Sequence, residues 1–306
     1  MAVPKILLVG ATGFIALVRE KSQADVLAAQ GLQSILFKSL DDLDLLERVA
    51  RDYDIVVRCA DGFHRSSGEA LIKGLGQRQM ETGKMTYFIR TSGVSGIADR
   101  PISGRYIETC ELSDKDSIYA YEQHRETMEG YPSRQADIAI VDAGERANVN
   151  TYIIMSPLIY GRGNGLFNTR SMQIPSIIRS AREWGYVGYV GNALYELLLA
   201  KIVSGVEIPS GKAGIFFSAA GRHSWRALAN SIATAGVKLG LLRSDEAKEI
   251  SIEQAAAAWT HGMFDFVEPG FGSRATTRAD LAKELGWEPK KTDTDWQGTF
   301  LDEWES

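Results

Sequence analysis

The sequence predicts an α/β chain in which a doubly wound parallel sheet precedes a smaller α+β lobe. Three observations carry that reading. A short β-branched run, Ile6–Val9, breaks into glycines at Gly10 and Gly13. Strand-length apolar runs then alternate with helical patterns, the order of a parallel sheet joined by right-handed crossovers. Beyond about residue 165 the alternation loosens into helices around one more strand-like run.

Composition sets the outer limits. The 306 residues are 44% hydrophobic and 24% charged, enough chain for one large domain or two smaller ones with a buried core. A division at 1–165 and 166–306 is expected, with 186–203 returning to the sheet. The net charge is −5, so no basic face recommends nucleic acid as a partner, and a small-molecule substrate is expected. Cys59 and Cys110 are too few for a disulfide framework, which favours a reducing, cytoplasmic setting. His64, His124, His223 and His261 share no metal-ligand spacing, so no metal is expected. The apolar stretch Ile6–Val18 is well short of the ~20 residues a membrane span needs, and it lacks a signal cleavage site.

The first element is the strand Ile6–Val9. Gly10 permits a tight turn, and Gly13, without a Cβ, lets backbone approach a pyrophosphate at a helix N-terminus. Ala16 fills the third small position. Gly10, Thr12, Gly13, Phe14 and Ile15 are therefore candidate dinucleotide contacts; the plain alternative is an ordinary strand turn. For the next stretch two readings compete. In the compact one, Phe14–Gln30 is the first helix and Gly31 its cap, although Glu20–Asp25 is an unbroken polar patch. In the other, Ala16–Arg19 ends a second strand and a helix starts at Ser22.

The following elements are clearer. Ser34–Lys38 reads as a strand, Asp41–Ala50 as a helix with acidic residues in its first turn, and Asp54–Cys59 as a strand. Ser67–Thr82 reads as a helix and Thr86–Arg90 as a strand. Ligands bind at the carboxyl ends of such strands, an edge lined here by Gly10–Ile15, Ala60–Phe63 and Thr91–Ser95. The runs Ala136–Val141 and Asn150–Met155 flank a short Asp- and Gly-containing helix. A loop at Gly161–Gly165 and a helix at Ile174–Trp184 follow. Gly214–Ser218 then reads as a strand, with helices at Ser224–Leu239 and Ile252–Trp259. A last helix is capped by Gly286 and stopped by Pro289.

Several of these words carry a family resemblance. Gly10-Ala-Thr-Gly-Phe-Ile15 resembles the opening of extended and atypical short-chain dehydrogenases, NmrA-like proteins included. Ser156-Pro-Leu-Ile-Tyr-Gly161 is similar to their Arg-Pro-x-x-Val-Tyr-Gly element, with Ser156 in place of the arginine, and Arg274–Pro289 resembles their substrate lobe. The resemblance implies a Rossmann-type sheet with Ala60, Thr91 and Ser156 beside the cofactor, and it is compatible with a homodimer. It also favours the second reading of residues 16–30, which makes Arg19 the residue after the second strand. Arginine there accommodates a 2′-phosphate, so NADP is expected; the compact reading would put Asp41 or Asp42 on the ribose and select NAD.

The resemblance further implies a catalytic Tyr-x-x-x-Lys pair and a serine that holds the substrate oxygen. A nearby cation is what lets a tyrosine of ordinary pKa about 10 exchange protons at neutral pH. The candidates are Tyr119 and Tyr121, followed at i+4 by Gln123 and Arg125, so the lysine is absent. Ser92 is the candidate serine, with Ser95 second. Three functions stay open: an NADP-dependent reductase or dehydrogenase of a small carbonyl compound, an NmrA-like redox sensor without turnover, and a non-redox isomerase or dehydratase. Compared with the family, the chain also looks shortened at Ile15–Ala16 and Gly191–Asn192, so a longer polypeptide is expected.

Overall fold

The computed structural model describes residues 4–9, 15–159, 173–184, 201–202, 207–289 and 293–304. Its main sheet has seven strands, all parallel: β1 Ile6–Val9, β2 Ile15–Val18, β3 Ser34–Leu36, β4 Ile55–Arg58, β5 Tyr87–Gly93, β7 Asn150–Ser156 and β8 Ile215–Phe217. Their order, β3-β2-β1-β4-β5-β7-β8, reverses direction between β1 and β4. That reversal opens the crevice in which doubly wound sheets hold their ligands. A two-residue strand, β6 (Leu112–Ser113), pairs instead with Thr277–Arg278 and ties the segment before α4 to the C-terminal residues.

The second reading of residues 16–30 holds. Ile15–Val18 lies parallel to β1, with Leu8 opposite Ala16, and α1 follows at Lys21–Ala29. Phe14–Gln30 is therefore not one helix: Ile15–Val18 pairs with β1 as a strand, and most of the polar patch Glu20–Asp25 forms the largely exposed first turns of α1. The helices α2 (Leu43–Ala50) and α3 (Arg65–Thr82) then pack against each other at Gly74. A Cβ on Gly74 would stand 2.1 Å from the Glu47 carbonyl oxygen, so only glycine allows that approach.

Two helices fill the span between β5 and β7: α4 (Ile118–Met128) and α5 (Pro132–Ala147). The run Ala136–Val141 belongs to α5 and is not strand-like. Its buried positions include Ser133, Ala136, Asp137, Ile140, Ala143 and Gly144 at helical spacing, with Arg134, Ala139 and Val141 widening that face. Proline at its first position and left-handed Asn148 at its end mark its limits.

β8 adds to the main sheet rather than to a separate lobe. The C-terminal residues build their own apolar centre from Ile177 and Ala181 on α6 (Gln173–Trp184) and from Leu228, Ile232, Phe271, Phe300 and Trp304. Two helices there, Phe264–Phe271 and Asp293–Trp304, had no counterpart in the sequence reading. Among the described residues, no helix is long and apolar enough to cross a membrane.

Candidate functional site

The carboxyl edge of the sheet gathers the predicted residues unevenly. Gly10, Thr12, Gly13 and Phe14, and the second join at Gly191–Asn192, lie outside the described residues. Ile15 opens β2, so that strand runs unbroken across Ile15–Ala16. Arg19 follows β2 directly and is exposed. The Cys59 and Ala60 amides both donate to the Val9 carbonyl, at 2.8 and 3.0 Å, which holds the end of β4 against the end of β1. Thr91 and Ser92 sit near the end of β5, and Ser156 closes β7 in register with Gly93.

Ser92 is buried, and its hydroxyl donates to Asp137 Oδ2 at 2.5 Å. Arg90 Nε pairs with the other oxygen of the same carboxylate. The strand end thus faces inward, onto α5.

Neither phenol chosen from the sequence joins Ser92. Tyr119 donates to Asp142 on α5 and accepts from Gln123 Nε2 at 2.9 Å. Tyr121 donates to Glu108 and accepts from Arg125 Nη1 at 3.2 Å. Burial and the acceptor carboxylate push both tyrosines up, away from phenolate formation. These contacts staple α4 to α5 and to the loop before β6.

A third tyrosine lies beside Ser95, the second candidate serine. Tyr131 caps the N-terminus of α5, and its hydroxyl donates to Ser95 Oγ at 3.2 Å, just past the end of β5. Its residue at i+4 is Gln135, so a lysine is missing here too. Two guanidiniums face the ring instead: Arg100 Cζ at 5.2 Å and Arg134 Cζ at 5.8 Å from its centroid. Burial raises the Tyr131 pKa, while Ser95 and the two arginines work against that rise. The Tyr131 ring also meets Phe63 in a T-shaped contact; Phe63 is 45% exposed and in turn meets Phe266 of the C-terminal lobe. With a short helix read only between Ala136–Val141 and Asn150–Met155, the sequence carries no signal that a helix starts beside Tyr131. A helix running directly into β7 would have put Tyr131 at its start.

A parallel sheet whose strand order reverses between β1 and β4 is a Rossmann-type, doubly wound fold. The solved structures that it resembles have that fold. They include a UDP-glucose 4-epimerase of Thermotoga maritima with UDP-glucose (TM-score 0.57, 14% identity, 98% of each chain). An NADPH-dependent quinone oxidoreductase of Escherichia coli complexed with NADPH is similar as well (TM-score 0.54, 15% identity, 98% of each chain). So is the terminal R domain from the myxalamid biosynthetic pathway (TM-score 0.59, 12% identity, 99% of this chain and 91% of that one). In sequence, an oxidase of an Acremonium species is 29% identical over 332 positions, spanning 93% of this chain and 92% of that protein. No protein-family model matches the chain.

Proposed function

We propose that the protein is an NADP(H)-dependent reductase or dehydrogenase of a small carbonyl or alcohol substrate. The observation that carries this reading is the Tyr131–Ser95 hydrogen bond at the carboxyl edge of the sheet. The described residues suit a nicotinamide dinucleotide: the strand order reverses beside β1, and Arg19 stands free after β2 to meet a 2′-phosphate. The Acremonium oxidase and the NADPH-bound quinone oxidoreductase support the same class.

Bound there, the cofactor would supply or accept a hydride. Ser95 and Tyr131 would hold the substrate oxygen between their hydroxyls, and Tyr131 would give it a proton as the carbonyl becomes an alcohol. Arg100 and Arg134, over the same ring, would favour the phenolate left behind, the role a lysine has in the resembled family. Ser92 would stiffen the strand end through Asp137, and Tyr119 and Tyr121 would hold α4 in place.

Turnover of an aldehyde and ketone panel tests the reading. Tyr131→Phe should lower kcat by about 10²–10⁴-fold, the range for a lost proton donor, with cofactor affinity nearly unchanged. Tyr119→Phe and Tyr121→Phe should cost far less. Fluorescence titration should show NADPH bound more tightly than NADH. If NADPH binds and no carbonyl turns over, the lysine-free site favours a redox sensor.

A further inference from the structure

Two arginines stand side by side in the middle of the sheet. Arg58 ends β4, Arg90 lies opposite it in register on β5, and both side chains are fully buried. Central strands of a parallel sheet are ordinarily apolar on both faces, so the pair calls for a physical reason. Both guanidiniums leave the sheet toward α3 and α5, under the loop 60–64. Arg58 Nη2 donates to the Asp61 and His64 carbonyls, each at 2.8 Å, and to Ser67 Oγ at 2.9 Å. Arg90 Nη2 donates to the Gly62 carbonyl at 2.7 Å, and its Nε pairs with Asp137.

That leaves donors over. Arg58 Nε, Arg58 Nη1 and Arg90 Nη1 have no hydrogen-bond partner among the protein atoms. It also leaves charge over, since Asp137 is the one carboxylate in an ion pair with either arginine among the described residues. Burial and the Arg90 charge lower the Arg58 pKa to about 10, which still keeps it charged at neutral pH. Glu122 on α4 is the other buried carboxyl in this layer, and both its oxygens are likewise without a partner. Burial and the neighbouring Asp137 push its pKa well up, and it forms no ion pair with either arginine among the described residues. Asp61 lies in the loop above, exposed to water. An uncompensated buried charge is costly, and a counter-ion removes that cost.

We infer that Arg58 and Arg90 form a buried site for one small monovalent anion of chloride size beneath the loop 60–64. One guanidinium in excess of the paired carboxylate sets the valence, and full burial of both arginines calls for a compact ion. A nucleotide phosphate could not reach groups shut beneath the carbonyls of residues 61, 62 and 64. The loop above carries Phe63, which touches Tyr131, so the anion would steady one wall of the hydroxyl pair.

The test compares melting temperatures in sodium chloride and sodium gluconate at equal ionic strength. Chloride should raise the wild-type melting temperature with saturation, and Arg58→Met should remove the difference between the salts. Should Arg58→Met fail to fold, wild-type crystals grown in bromide decide the matter by anomalous scattering. A bromide peak between the Arg58 and Arg90 guanidiniums is expected. Equal melting in both salts, or a water molecule in place of a bromide peak, would overturn the site.

Discussion

Glu108 accepts four hydrogen bonds: from the Tyr106 and Tyr121 hydroxyls and from the Thr109 and Cys110 amides. Burial alone would raise its pKa, yet the donors together outweigh that and bring it down to about 2. The folded state therefore holds this carboxylate ionised more strongly than the unfolded chain does. Its contribution is complete above the ordinary glutamate value of about 4.5. It is lost as the pH falls through that value toward about 2. Denaturant midpoints measured from pH 6 down to pH 2.5 should fall less steeply for Glu108→Gln than for the wild type, and parallel curves would refute this. The candidate chemistry also turns on single residues. Tyr119, Tyr121 and Tyr131 are alike as letters, and only their acceptors (two carboxylates and one serine hydroxyl) separate two staples from the proposed proton donor.

At the scale of elements, helix packing is controlled by points of closest approach. α2 and α3 meet where Gly74 faces the Glu47 carbonyl, and Ala50 Cβ would be 2.9 Å from an added methyl. Alanine favours a helix over glycine by about 1 kcal/mol, but a contact with backbone cannot be relieved by rotating a side chain. Gly74→Ala should thus destabilise the protein by about 1–3 kcal/mol in urea unfolding, despite its better helix propensity. A neutral or stabilising result would mean that the two helices separate easily. α5 teaches a related lesson. Its β-branched stretch Ile138–Val141 invites a strand reading, and only the burial of positions three and four apart identifies it as helix.

For the molecule as a whole, the tightest constraint is the connection from β1 to β2. Parallel neighbours need a crossover of about a dozen residues or more, usually helical. Here β1 ends at Val9 and β2 begins at Ile15. Ile6 and Leu8 on β1 are only half-buried, whereas all four residues of β4 are buried. The alignment with the Acremonium oxidase runs over 332 positions, more than the 306 residues of this chain, so that relative carries residues absent here. We expect the native polypeptide to contain a further βα-sized segment, roughly 20–30 residues, between β1 and β2. Intact mass spectrometry of protein from its source should then exceed 33.6 kDa, and a mass at that value would show the short connection to be genuine.

The sequence by itself determined the class of fold, because strand-length and helix-length hydrophobic periods are local properties. Ile6–Val9, Ile55–Arg58 and Tyr87–Arg90 were legible as buried strands, and the helix pattern Leu43–Ala50 as amphipathic. It also placed Arg19 after β2 and Ser92 and Ser95 at the end of β5. Only the tertiary structure decided which tyrosine stands beside Ser95, that β8 completes the main sheet, and that Arg58 and Arg90 lie next to each other. Each of those facts depends on residues far apart in the chain. Ser95 and Tyr131 are 36 positions apart, and register and crossover geometry, which no local pattern encodes, bring their hydroxyls within hydrogen-bonding distance.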